Sequence, residues 1–74
     1  MGTFHVTTDR PKVPAASFVA EDLVDLGAQV ASHLARHRVL SRAVPYDAQV
    51  GDDCGAIHQS GLPRPVTFVI RKES

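Results

Sequence analysis

Two pairs of potential metal ligands stand out among the residues whose side chains can do chemistry. His33 and His37 are four residues apart in a segment with helical periodicity, so both imidazoles would project from the same side of a helix. Cys54 and His58 have the same spacing in a glycine-rich region. Three imidazoles and one thiolate would make a tetrahedral zinc site, and a bound ion would stabilise a small core. A zinc-stabilised module is therefore one hypothesis.

These residues also have an interpretation without metal. Structural zinc sites usually carry two or more cysteines, whereas this chain has one. His37 lies in the apolar stripe of the predicted helix, where a partly buried, hydrogen-bonded ring explains it, and the neighbouring Arg36 and Arg38 would repel a cation. We therefore predict that the chain has no cofactor, with zinc as the alternative.

No pattern in the sequence predicts an enzyme. Asp52 and Asp53 precede Cys54, but adjacent acids at a glycine-flanked turn are typical turn residues. This disfavours a nucleophile pair made by Cys54 and His58. The sequence contains no glycine-rich phosphate loop, no nucleophile elbow and no paired catalytic carboxylates. We interpret the chain as non-enzymatic.

A basic cluster marks the end of the predicted helix. Arg36, Arg38 and Arg42 lie close in sequence to His33 and His37 and could contact phosphate, which makes a nucleic-acid-binding regulator a second alternative. Positive charge at a helix C-terminus also complements the helix dipole, which explains most of the pattern. Eight basic and eight acidic residues cancel, so a general attraction to nucleic acid or to an anionic membrane is not supported.

A long helix, predicted from Ser17 to Arg38, must position most of these residues. Its apolar stripe recurs at alternating spacings of three and four residues and consists of Val19, Leu23, Leu26, Val30, Leu34 and His37. Ser17 is the expected N-cap. Pro11 and Pro14 keep the preceding segment out of the helix.

A flank of small residues accompanies this stripe. Gly27, Ala31 and Ala35 repeat every four residues and would let another backbone approach closely. Either a strand or loop of the same chain lies there, or the helix of a second copy does, because the sequence predicts no other long helix. Phe18 lies off the stripe and is expected either to fold onto the proline-rich connector or to anchor a partner.

The remaining segments predict a single small α+β domain over residues 1–74. The order is β-α-β-(β)-β, with one long helix packed on a mostly antiparallel sheet. The strands are expected at 3–8, 39–46 and 66–72, and the first and last of these are expected to be neighbours. Their Phe4, Val6, Phe68 and Ile70 face should lie under the helix.

Residues 47–65 are expected to form a long loop, with a possible short hairpin inside it. Arms at 48–50 and 56–58 could be joined by a turn at Gly51–Gly55. A loop of this length in so small a domain is uncommon unless it binds something or is disordered. Val69 makes the last strand apolar on its second face as well.

Size and composition favour a protein that needs a partner. A chain of 74 residues builds a marginal core without metal, disulfide or oligomerisation. One cysteine excludes an intramolecular disulfide and fits a cytoplasmic location, and no secretory signal or membrane-spanning run is predicted. The absence of Asn, with two Lys against six Arg, suggests a high-GC bacterium or phage.

We therefore predict a small non-enzymatic protein–protein interaction or regulatory module that acts as a homodimer and binds an unidentified protein. The predicted interface residues are Gly27, Ala31, Ala35, Phe18 and Val69. The alternatives are a nucleic-acid-binding regulator and a small zinc-stabilised module.

Overall fold

A computed structural model describes residues 1–73, which form one helix and a five-stranded antiparallel sheet. The elements are β1 (Gly2–Thr8), β2 (Ala16–Ala20), α1 (Leu23–Arg36), β3 (Tyr46–Val50), β4 (Cys54–Gln59) and β5 (Val66–Lys72). The strand order across the sheet is β2-β1-β5-β4-β3. The α+β prediction is confirmed, and β1 and β5 are neighbours as expected, with Val6 opposite Ile70.

The core lies between α1 and one face of the sheet. As predicted, Phe4, Val6, Phe68 and Ile70 are buried, and they belong to the same cluster as the helix residues. Alternation along β1 and β5 sends every second side chain to the other face. That second face, which we call the open sheet face, is not covered by a helix in residues 1–73. Antiparallel sheets tolerate one solvated face.

The helix begins at Leu23 and not near Ser17. Asp22 is the N-cap, and its carboxylate accepts a hydrogen bond from the backbone amide of Asp25 at 2.8 Å. The acidic pair Glu21-Asp22 just before the apolar repeat is the sequence signal for this start. Across residues 1–73, no helix is long and apolar enough to cross a membrane.

The predicted first turns of the helix are instead the edge strand β2. Phe18 and Val19 favour extended structure, and β2 pairs with β1 so that Phe18 lies opposite Phe4. The helical stripe was extended too far because Val19 precedes Leu23 by four residues. In the structure, Val19 belongs to the strand and is 56% exposed.

The helix ends at Arg36 in a Schellman motif, two residues before the predicted end. Arg38 takes a left-handed conformation, with φ of 62°, and its amide donates to Ala35 O. The amide of Val39 donates to Leu34 O at 2.9 Å, which completes the motif.

The strand predicted at 39–46 is absent, and regular structure resumes at Tyr46. Leu40 is buried in the core, so the apolar residues of this segment cover the end of the helix without forming a ladder. The buried side chain of Gln59 holds the segment with three hydrogen bonds. Its Oε1 accepts from Ser41 N, and its Nε2 donates to Ser41 O and Val44 O.

The hairpin prediction is confirmed, whereas the long loop is wrong. β3 and β4 are antiparallel and joined by a tight turn in which the Gly51 amide donates to Cys54 O at 2.8 Å. The irregular part of 47–65 therefore shrinks to this turn and residues 60–65. Gly55 is required because a Cβ there would lie 2.5 Å from the ring of Phe68.

Candidate functional site

His33 is packed beside β2, whereas His37 is exposed. The ring of His33 is buried, and its Nε2 donates to Pro14 O at 3.1 Å. Its centroid lies 4.7 Å from that of His37 and 5.6 Å from that of Phe18, both in edge-on geometry. The hydrogen bond to Pro14 holds the connector between β1 and β2 against the helix. The partly buried ring predicted at His37 is wrong, because His37 is exposed, and it is His33 that is buried and hydrogen-bonded.

Cys54 and His58 lie on the other side of the sheet from these imidazoles. Both are exposed and alternate along β4 with the buried Ile57 and Gln59, which face the helix. The sheet thus separates the two predicted ligand pairs. Over residues 1–73, no three His, Cys, Asp or Glu side chains are arranged to hold a metal ion. The four-residue zinc site is therefore wrong.

Arg36, Arg38 and Arg42 are exposed around the end of α1. Within residues 1–73, none of the three makes an ion pair. The cluster is therefore a small positive end on a chain without net charge, close to the C-terminal dipole of the helix.

The predicted interface residues are scattered over different surfaces. Gly27 is covered by β3, because a Cβ there would lie 3.0 Å from Val50 Cγ2, so its predicted role as a partner contact is corrected. Phe18 is half-buried against the core at the β2 side. Val69 is 63% exposed on the open sheet face. Ala31 and Ala35 border a surface groove near β3.

The two edges of the sheet differ in how their backbone groups are satisfied. At the β2 edge, helix side chains reach over the strand. Gln29 Nε2 donates to Val19 O at 2.7 Å, and His33 donates to Pro14 O just before the strand. These side chains cap part of the β2 edge and reduce its capacity to accept another strand.

The β3 edge has no such cover. The Gly51–Cys54 hydrogen bond shows that the backbone groups of Gly51 point towards β4. The direction of the backbone groups alternates along an antiparallel strand, so the amides and carbonyls of Tyr46, Ala48 and Val50 point away from β4. No backbone or side-chain group in residues 1–73 forms a hydrogen bond with them. An unpaired row of this kind is a template for another strand.

An apolar groove runs beside this free edge, between α1 and the chain from Leu40 to Val50; we call it the α1–β3 groove. Two large hydrophobic side chains are exposed there: Val24 is 83% exposed and Tyr46 is 44% exposed. The two adjoining parts of the groove measure ≈ 600 and ≈ 410 Å³. Its helix side is lined by Leu23, Val24, Gly27, Ala28, Ala31, Ser32 and Ala35.

The open sheet face carries a separate depression of ≈ 690 Å³ around Val69. Its lining residues include Thr7, Asp9, Cys54 and Thr67. The thiol has no imidazole among the lining residues, so the arrangement contains no nucleophile–base pair.

Comparison of the chain with models of protein families, with curated proteins and with solved structures finds no match to any of them. The function is therefore inferred from the surface of the chain itself. The sequence predicts a hairpin arm at 48–50, but it does not predict that this strand starts at Tyr46 or that it lies at the edge of the sheet. Tyr46, Ala48 and Val50 alternate with polar residues, and this was the available signal for a strand.

Proposed function

We propose that this chain is a non-enzymatic protein–protein interaction module that acts as a homodimer through its β3 side. The observation that carries the proposal is the difference between the two sheet edges. A helix side chain bonds one outward carbonyl of β2, Val19 O, and a second bonds Pro14 O just before that strand, while the outward backbone groups of β3 have no partner in residues 1–73. Strand addition at an open edge is a common way to recognise a protein partner.

The side chains beside the β3 edge also favour this surface as the dimer interface. Val24 and Ala28 of α1 and Tyr46 and Ala48 of β3 are all exposed and border one groove. Burying them would remove apolar area from water and supplement a core limited by the short chain. Ala35, which the sequence predicted to be an interface residue, lies along this groove and is partly exposed, whereas Ala31 is only 4% exposed and belongs to the core. The proposed interface therefore keeps Ala35 and leaves out Gly27, Ala31, Phe18 and Val69.

Other functions have less support. The exposed arginines could contact phosphate, but the groove beside β3 offers a surface of defined shape, whereas Arg36, Arg38 and Arg42 offer charge alone. The lone thiol and the composition support a cytoplasmic setting in a high-GC bacterium or phage. An unidentified second protein would bind a surface that the dimer leaves free.

Sedimentation velocity over a range of concentrations tests the proposal, with two matched valine variants. Val24→Lys places charge in the α1–β3 groove and is expected to shift the chain from dimer to monomer, because a desolvated, unpaired ammonium is costly. Val69→Lys makes the same change at an exposed valine of the open sheet face and is expected to leave the dimer intact.

A wild-type chain that stays monomeric at the highest concentrations would contradict the proposed function. A dimer that Val69→Lys dissociates and Val24→Lys does not would place the interface on the open sheet face. Circular dichroism of both variants checks that they remain folded.

A further inference from the structure

We infer that the second copy joins the sheet in one register, with β3 antiparallel to β3 of the other copy about a two-fold axis at Ala48. This inference rests on the proposed homodimer and adds its geometry. The two five-stranded sheets would become one sheet of ten strands, with both helices on the same face.

The backbone groups of β3 fit this arrangement. Tyr46, Ala48 and Val50 present both their amide and their carbonyl to the free edge. With the axis at Ala48, Tyr46 of each copy lies opposite Val50 of the other, and Ala48 lies opposite itself. Each of these opposed pairs can exchange two hydrogen bonds, so every outward group of the strand is satisfied.

The side chains on the open sheet face select this register over its neighbours. Asp47 comes to lie opposite Gln49 of the second copy, so that the carboxylate can accept from the amide nitrogen. A shift of the axis to Asp47 would place two carboxylates opposite each other, which is unfavourable. A shift of the axis to Gln49 would leave Tyr46 of each copy without an opposite residue in β3 of the other copy.

Ala48 lies opposite its own copy at the axis. Directly opposed residues of a hydrogen-bonded pair have Cα atoms about 5.5 Å apart, which is within the range that a disulfide spans.

Cysteine cross-linking tests this register. Both variants carry Cys54→Ser, which removes the native exposed thiol. Ala48→Cys is expected to shift the chain from monomer to dimer mass on a non-reducing gel after mild oxidation. Gln49→Cys is the matched control, because its copies lie two residues out of register, beyond the reach of a disulfide.

Each outcome separates the register from the function. Cross-linking of Ala48→Cys without Gln49→Cys supports the inference. If the chain sediments as a dimer but Gln49→Cys cross-links, or neither variant does, the register is wrong and the homodimer stands. If the wild-type chain sediments as a monomer, the proposed function and the inference both fail.

Discussion

Gln59 is the side chain on which the irregular segment before β3 depends. Gln59 is buried, and both the oxygen and the nitrogen of its side-chain amide form hydrogen bonds, of 2.7 to 2.9 Å, with backbone groups of Ser41 and Val44. Within residues 1–73, every buried side-chain nitrogen and oxygen has a hydrogen-bond partner. Gln59 thereby fixes the direction in which the chain enters β3.

Replacing Gln59 is expected to destabilise the fold by leaving backbone groups of Ser41 and Val44 unsatisfied. Gln59→Ala should lower the free energy of unfolding by about 1–3 kcal/mol, measured by chemical denaturation. Gln59→Glu should also destabilise, since a carboxylate accepts but cannot donate to the two carbonyls.

Gln49→Ala is the control for that measurement, because Gln49 is an exposed glutamine in the same hairpin. Its effect should stay within about 0.5 kcal/mol under conditions where the chain is monomeric. Equal midpoints for Gln59→Ala and Gln49→Ala would contradict the role assigned to Gln59.

At the scale of elements, the first turn of α1 is held by acidic side chains. Asp22 accepts from the Asp25 amide at 2.8 Å, and the Asp25 carboxylate accepts from the Glu21 amide at 3.1 Å. The first bond satisfies an amide of the first turn that has no partner within the helix, and the second holds the residue that precedes the N-cap. They also separate α1 from β2, which ends at Ala20, three residues before the helix begins.

Removal of this cap is expected to weaken the helix. Asp22→Ala should cost about 1 kcal/mol of unfolding free energy, while Asp22→Ser should retain most of the stability because a serine hydroxyl can accept the same bond. Thermal or chemical denaturation measures both. Equal losses in the two variants would show that the side-chain acceptor is not what stabilises this turn.

Local patterns predicted those elements that do not depend on distant parts of the chain. The last strand was predicted at 66–72 and is found at Val66–Lys72, because its alternation is strong and proline precedes it. The β3–β4 turn followed from its glycines. Residues 16–20 were misassigned because their spacing also fits a helix, and pairing with β1 decides the outcome.

The prediction of a strand at 39–46 was wrong for a related reason. Val39 and Leu40 are apolar, which suits a strand, but they pack against the core after the left-handed turn at Arg38. Their partners include Gln59, which lies far along the chain. No local pattern of one segment contains that information.

At the scale of the whole molecule, the candidate interface could not be derived from local sequence. β3 is an edge strand because β4 pairs with β5 and no further strand of residues 1–73 pairs with the outer side of β3, which is a property of the strand order. Whether the edge is capped depends on which helix flank carries long polar side chains. Gln29 and His33 project over the β2 edge, whereas small residues flank β3.

Small size and an open edge together explain why a second copy would be stabilising. An exposed apolar edge strand invites uncontrolled pairing unless it is blocked or paired. β3 contains no lysine or proline to block it, and Pro45 lies just outside the strand. Self-pairing would cover the edge and bury Val24 and Tyr46 in the same step.

Amide hydrogen exchange at Ala48 is the measurement that tests this account most directly. The Ala48 amide points away from β4 and should exchange quickly in a monomer, but it should slow markedly as protein concentration drives β3 to pair with β3. The amides of Ser17 and Val19, which point outward at the β2 edge, should show no such dependence. Exchange at Ala48 that does not change with concentration, in a range where sedimentation shows a dimer, would contradict pairing through β3.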